Sequence, residues 1–216
     1  MNDERPPRLV LDQPTPCCGA RLLVQCDGTY RCPCGKRQEE LAKKTMREQL
    51  LVAPGIAYAV GDATQPVGVG KKIIPHVCND IGAWGKGFVL AISKRWPEPE
   101  QRYIAWHAGN GGVNCKNFLL GNVQFVPVTS EITVANMIAQ KGISSFRDVP
   151  PIRYGAVQNC LVQVAIEAQR LNASIHMPRI GCGLAGGKWD AVSRIVECQL
   201  IFKGIPVWVY DLPCPR

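Results

Sequence analysis

The chain has 216 residues, 46% of them hydrophobic and 19% charged, with a formal net charge of +8. A single core takes about 100 to 200 residues, so there is room for one full domain and a small appendage, and the apolar share excludes wholesale disorder. No apolar run reaches the roughly 18 residues needed to cross a bilayer, and Met1 to Arg8 is polar and proline-rich, so no membrane partner is expected and the expected location is cytoplasmic.

The first segment, residues 1–36, gathers five of the eleven cysteines. It reads Pro16-Cys17-Cys18-Gly19, then Asp27-Gly28, then Tyr30-Arg31-Cys32-Pro33-Cys34-Gly35. Two Cys-Gly corners flanking an Asp-Gly hairpin resemble a zinc ribbon, in which four thiolates hold a structural zinc that supplies the folding energy so short a segment cannot bury. The expected ligands are Cys17, Cys18, Cys32 and Cys34, with Cys26 as the alternative for one of an adjacent pair. Arg21, Arg31, Lys36 and Arg37 form a weak basic patch beside them. With the net positive charge, it favours a polyanionic partner, and nucleic acid or a pyrophosphate ligand would both qualify.

Residues 37–54 read as a helical linker, because Leu41, Met46, Leu50 and Leu51 recur at rough helical spacing before Pro54-Gly55. Residues 55–216 then form the main domain. Strands are predicted at Ile56 to Val60 and Lys72 to Val77, and a helix from Gly85 to Trp96. Phe118 to Val128 and Ile132 to Ala139 read as two adjacent strands joined by Thr129-Ser130-Glu131, followed by a loop rich in Pro and Gly as far as Pro151. Val157, Leu161, Val164, Ala165 and Ala168 mark a helix from Ala156 to Leu171. A strand from Ser174 to Pro178, a helix from Trp189 to Phe202 and a last strand from Val207 to Leu212 complete the order. Strands alternating with helices predict an α/β fold with a sheet covered on both faces and a ligand at the strands' carboxyl ends.

Three segments at strand ends are rich in glycine. Val60-Gly61-Asp62-Ala63 puts a carboxylate where it could accept a hydrogen bond from an exocyclic amine. His76-Val77-Cys78-Asn79-Asp80, running on to Trp84-Gly85-Lys86-Gly87-Phe88, leads a glycine-rich loop into a helix, whose bare N–H groups and dipole suit a phosphate. Ile180-Gly181-Cys182-Gly183-Leu184-Ala185 repeats that logic, and two such loops facing each other make a diphosphate clamp.

In this order and spacing the three segments resemble those of macrodomains, and the similarity runs from about Ile56 to Leu212. Met177 to Leu184 with Trp189 is similar to the terminal ADP-ribose protein glycohydrolase branch, and Cys78-Asn79 with Trp84 to Gly87 to ADP-ribose-1″-phosphate phosphatases. The resemblance implies a three-layer α/β/α domain with a mixed central sheet that binds ADP-ribose or a derivative. By the same resemblance, Asp62 and Ala63 hold adenine with Tyr210 and Asp211 near it, Asn79 and Trp84 to Phe88 line the distal ribose and diphosphate, and Ile180 to Ala185 wrap the phosphates.

The glycohydrolase branch uses a lysine after the second hairpin strand and an aspartate after the Gly-Leu of the last loop. Here Gln140 and Ala185 stand at those positions, and a methyl cannot replace a carboxylate in proton transfer. Phosphatase-like chemistry would fall to His76, with Asp80 or Asn79 positioning a water. Two functions follow: a hydrolase acting on an ADP-ribose derivative, and a non-catalytic ADP-ribose reader whose ribbon contacts nucleic acid or protein. An ADP-ribosylated protein or nucleic acid would be the partner in either case.

Overall fold

The computed structural model describes residues 55–110 and 117–213, together with the backbone of three short strands nearer the N-terminus. The expected metal ligands Cys17, Cys18, Cys26, Cys32 and Cys34, and the linker helix 37–54, lie outside the described residues. The chain divides into two compact units, Met1–Ala53 with Val67–Val69, and Pro54–Pro66 with Gly70–Arg216.

In the first unit, β1 (Leu9–Pro14), β2 (Arg21–Val24) and β3 (Tyr30–Arg31) form an antiparallel sheet in that order. Pro14 pairs with Arg21 and Leu23 with Arg31, so β1 and β3 both run opposite to β2.

The second unit is built on six strands: β4 (Ala57–Val60), β5 (Lys72–Asn79), β6 (Val123–Pro127), β7 (Ile132–Gln140), β8 (Ser174–Pro178) and β9 (Val207–Asp211). Their spatial order is β4-β9-β8-β5-β7-β6, with every neighbouring pair parallel except the β6–β7 hairpin. That hairpin turns where expected, Thr129 Oγ1 accepting the backbone N–H groups of Glu131 and Ile132 at 3.2 and 2.9 Å.

Alternation along the two central strands explains the three layers. Ile73 of β5 and Ala135, Met137 and Ala139 of β7 point into one core, beneath α3 (Tyr154–Leu171) and α4 (Trp189–Gln199). Ile74 and Cys78 of β5, with Val134 and Ile138 of β7, point the other way into two smaller clusters under α1 (Phe88–Arg95) and α2 (Glu98–His107). A parallel strand covered on both faces has no polar side to show, which is why β5 and β7 are buried almost throughout.

Helix α2 was not anticipated. The helix predicted from Gly85 to Trp96 begins later, at Phe88, and Pro97 at its end starts a second one. Proline serves as an N-cap there, Glu98 and Glu100 lie in the first turn, and only Tyr103 and Trp106 of its large apolar residues are buried. Helix α3 instead buries all five of the residues whose spacing marks it, and it ends on Asn172 in the left-handed region at φ 51°.

Candidate functional site

Five parallel strands end along one edge of the sheet. In spatial order that edge carries Val60-Gly61-Asp62, Asp211, Pro178-Arg179, Asn79-Asp80 and Gln140. The three glycine-bearing segments therefore share one edge, with Asp62 towards one end of the row and Asp80 and Gln140 towards the other.

Asp62 sits just past β4. Its Oδ1 accepts the Thr64 N–H at 2.8 Å, and its other oxygen has no partner among the described residues. Ala63 beside it is buried, and the Gly61 N–H bonds the Asp211 carbonyl at 2.9 Å, tying this corner to the end of β9.

The second segment is organised by Asn79. Its Oδ1 accepts the N–H groups of Ile81 and Ala83 at 3.1 and 2.9 Å, and its Nδ2 donates to the Ala83 carbonyl. Tyr103 donates its hydroxyl to the Asn79 carbonyl at 2.6 Å, and burial pushes that phenol far up. The Asn79 amide is thus spent on shaping the loop. The loop then enters α1 through Gly87, which has φ 82°, with no side-chain cap and no acidic residue in the first turn, so the positive end of the helix is bare. Lys86 beside it is exposed.

In the third segment Ile180 and Ala185 are buried, leaving backbone and the exposed Gly183 and Leu184 on the outside. The N–H groups of Gly183, Leu184 and Ala185 donate no hydrogen bond among the described residues. A Cβ placed on Gly87 would lie 3.6 Å from Leu184 Cδ1, so the second and third segments meet face to face. Cys182 is half-buried; burial raises its thiol pKa, and Arg179 acts against that.

Several expected ligand contacts are turned elsewhere. His76 is not at the strand's end but deep in β5, opposite Asn136, and is 2% exposed. Asn136 Nδ2 already donates to the Pro99 carbonyl and Gln124 Oε1, so its Oδ1 must accept, and His76 Nε2 carries the proton in that 2.6 Å bond. The rings of Trp84 and Phe88 close over the imidazole, and burial lowers its pKa to about 4. This neutral, sealed imidazole faces the α1–α2 core, which separates it from the edge residues.

Trp84 packs against His76 and Tyr103 and donates its indole N–H to Ser93 Oγ at 2.8 Å. Tyr210 is buried, with its hydroxyl 2.8 Å from His176 Nδ1. Gln140 Nε2 donates to the Gly142 carbonyl at 2.8 Å, while Asp80 Oδ1 accepts the Gly142 N–H at 2.7 Å. The second oxygen of Asp80 has no partner among the described residues.

One cluster was missed from the sequence. Arg179 forms a bidentate pair with Asp211 at 2.6 and 2.7 Å, and its guanidinium lies 5.3 Å from the ring centroids of both Tyr58 and Trp189. The pair holds the Asp211 carboxyl below its usual range and fastens the third segment to the end of β9. An Arg directly after a strand, with an Asp ending its neighbour, was the available signal, and the resemblance singles out Trp189 of α4; Tyr58 of β4 has none.

No family model matches the chain. Among solved structures it is 54% identical to a protein of unknown function from Bacteroides thetaiotaomicron, covering 73% of this chain and 98% of that one with a TM-score of 0.69. It is 51% identical to a macrodomain protein from Streptomyces coelicolor, covering 72% of this chain and 98% of that one with a TM-score of 0.63. Among curated proteins it is 25% identical over 165 residues to an ADP-ribose 1″-phosphate phosphatase of Lodderomyces elongisporus, covering 72% of this chain and 99% of the relative. It is also 29% identical over 176 residues to chromodomain-helicase-DNA-binding protein 1-like of Mus musculus, covering 76% of this chain. The chain spans only 18% of that relative's length, and 15% of its Danio rerio counterpart's.

Proposed function

The chain belongs to the macrodomain family, and from that premise we propose that it binds ADP-ribose along the carboxyl edge of the sheet and hydrolyses a bond at the distal ribose of an ADP-ribose derivative. The observation that carries this reading is the approach of Gly87 to Leu184, which sets a bare helix N-terminus opposite unbonded backbone N–H groups. A diphosphate between them would be held by donors that need no side chain, with Lys86 adding a mobile cation. Asp62 would then take the base at one end of the row, and Asp80 would face the distal ribose at the other. Because His76 is sealed, we assign the work of holding and deprotonating the attacking water to the unbonded oxygen of Asp80.

Isothermal titration with ADP-ribose is expected to show binding that weakens about tenfold in Asp62→Asn, the loss of one charge-assisted hydrogen bond, because the amide oxygen can still accept from Thr64. A wild-type protein with no affinity for ADP-ribose would sink the reading. Asp80→Asn preserves an acceptor for Gly142, so it is expected to keep ADP-ribose affinity and abolish phosphate release from ADP-ribose-1″-phosphate or cleavage of an ADP-ribosyl conjugate.

The buried methyl of Ala185 favours a second reading, a non-catalytic reader, since it stands where the glycohydrolase branch has its carboxylate. Tight binding with no turnover of either substrate class would select it.

For residues 1–36 we propose a structural zinc held by Cys17, Cys18, Cys32 and Cys34. Cys17 and Cys18 follow β1 in the chain, and Cys32 and Cys34 follow β3; these two strands run the same way, which supports that set over Cys26, since Cys26 follows the oppositely directed β2. Metal analysis is expected to find about one zinc per chain, as a closed four-thiolate site requires, and to lose it when Cys32 and Cys34 are both changed to Ser. Metal retained in that double variant would refute the ligand set.

A further inference from the structure

Between β7 and α3 the chain runs out through residues 142–149 in a loop fastened at both feet to the crevice. At one foot the Gly142 N–H bonds Asp80 Oδ1 and its carbonyl accepts from Gln140. At the other, Pro150 lies against Gly186, where an added Cβ would stand 2.9 Å away, and the Ile152 N–H bonds the Ala185 carbonyl at 3.1 Å. The loop thus joins the second and third segments, at the end of the row remote from Asp62.

Its tip is a two-residue hairpin. Phe146 and Val149 exchange backbone hydrogen bonds of 3.1 and 3.0 Å across Arg147 and Asp148, which have φ 48° and 63°. Such a turn requires positive φ at both central residues and is normally made by Asn-Gly. Here neither central residue is glycine, and strain of this kind collects where a loop is shaped for something other than its own stability. What the turn displays is Phe146, 70% exposed, with the Arg147 guanidinium 5.2 Å from its ring centroid, and Ile143 and Val149 exposed beside it. None of these three apolar side chains is needed by the core.

We propose that this loop is the specificity element for whatever the distal ribose carries, and that Phe146 stacks on a planar, uncharged substituent at its anomeric carbon. The inference rests on the ADP-ribose reading above. It adds that an aglycone with a flat face is preferred over the 1″-phosphate, since the tip presents three exposed apolar side chains and its one cation, Arg147, lies against the Phe146 ring. Stacking on an exposed aromatic ring tolerates many flat groups, so the loop selects a class of substituent.

The test compares three ligands by isothermal titration against the full chain: ADP-ribose, ADP-ribose-1″-phosphate and ADP-ribose bearing a para-nitrophenyl ether at the anomeric carbon. The expected result is that Phe146→Ala weakens the nitrophenyl conjugate about tenfold and leaves free ADP-ribose within about twofold, as loss of one stacking contact predicts. Phe202→Ala, on the exposed turn before β9 at the opposite end of the sheet, is expected to change none of the three. Equal losses for all ligands in Phe146→Ala, or no loss for any, would overturn the proposal. So would a loop that reads phosphate, seen as Arg147→Ala weakening the 1″-phosphate while Phe146→Ala spares the nitrophenyl conjugate. A wild-type chain that binds none of the three would remove this inference together with the ADP-ribose reading, whereas ordinary ADP-ribose binding with an indifferent loop would remove this inference alone.

Discussion

Lowering the pH from 7 to 5 is expected to cost the protein about 4 kcal/mol of folding stability, about 2 from each of two buried histidines. His76 donates to Asn136 and is closed in by Trp84 and Phe88. His176, also buried, lies between Ser174 Oγ and the Tyr210 hydroxyl, both at 2.8 Å. Burial lowers the first to about 4; burial and then the charge of Lys72 lower the second to about 3. In the unfolded chain both return to an ordinary value of 6.5. Between that value and the folded ones, the unfolded state binds more protons, so stability must rise with pH; it is complete above about pH 7 and drains away as the pH falls through 6.5 towards 4 and 3. The depressed carboxyls of Asp211 and Glu167 act in the same direction, but their ordinary values of 3.8 and 4.5 lie below pH 5, so they add little between pH 7 and 5. Urea unfolding at pH 7, 6 and 5 checks the slope, and His176→Gln should remove about half of it. A stability that is flat from pH 7 to 5 would mean that water reaches both rings.

The same histidines show where sequence reading stopped. Periodicity found every strand of the main sheet, because the patterns are local: the β6–β7 pair announces its turn, and α3 repeats its apolar residues at helical spacing. Three glycine-bearing segments were legible for a similar reason, since each sits within a few residues of a strand end and the parallel order brings such ends together. Side-chain direction was not legible. His76 looked like a strand-end residue only because β5 was read as stopping at Val77; two further residues of strand, Cys78 and Asn79, set it deeper, and the alternation of faces then turns it into the α1–α2 core. Trp84 and Asn79 likewise sit in the glycine-bearing loop but face inward, their polar atoms taken by Ser93 and by the loop's own backbone. Helix α2 escaped because Pro97 and Pro99 crowd its start and only two of its large apolar residues face the core, and the Arg179 cluster because its four members are joined only by the fold.

Moving one methyl by four residues along the third segment should separate folding from binding. In Gly187→Ala the new Cβ would stand 2.6 Å from the Gly181 carbonyl oxygen and 2.7 Å from Ile152 Cδ1. The Ile152 methyl could rotate away, but the carbonyl is held by the Gly187 N–H itself at 2.8 Å, so backbone must move. Overpacking of this kind costs about 1 to 3 kcal/mol, and the displacement runs into the loop meant for the diphosphate. Gly187→Ala is therefore expected to lower the thermal midpoint by several degrees, roughly 2–4 °C per kcal/mol for a domain of this size, and to weaken ADP-ribose by at least about tenfold. Gly183→Ala should do something different. Its Cβ meets nothing within 4 Å and its φ lies outside the left-handed region, so the fold should not notice it. The methyl would occupy the open space a diphosphate needs for close approach to the backbone, so affinity should fall about as far with the midpoint unchanged. Differential scanning calorimetry and titration on both variants give four numbers. If Gly183→Ala leaves affinity intact, the diphosphate does not lie on this backbone, whatever Gly187→Ala does to the fold.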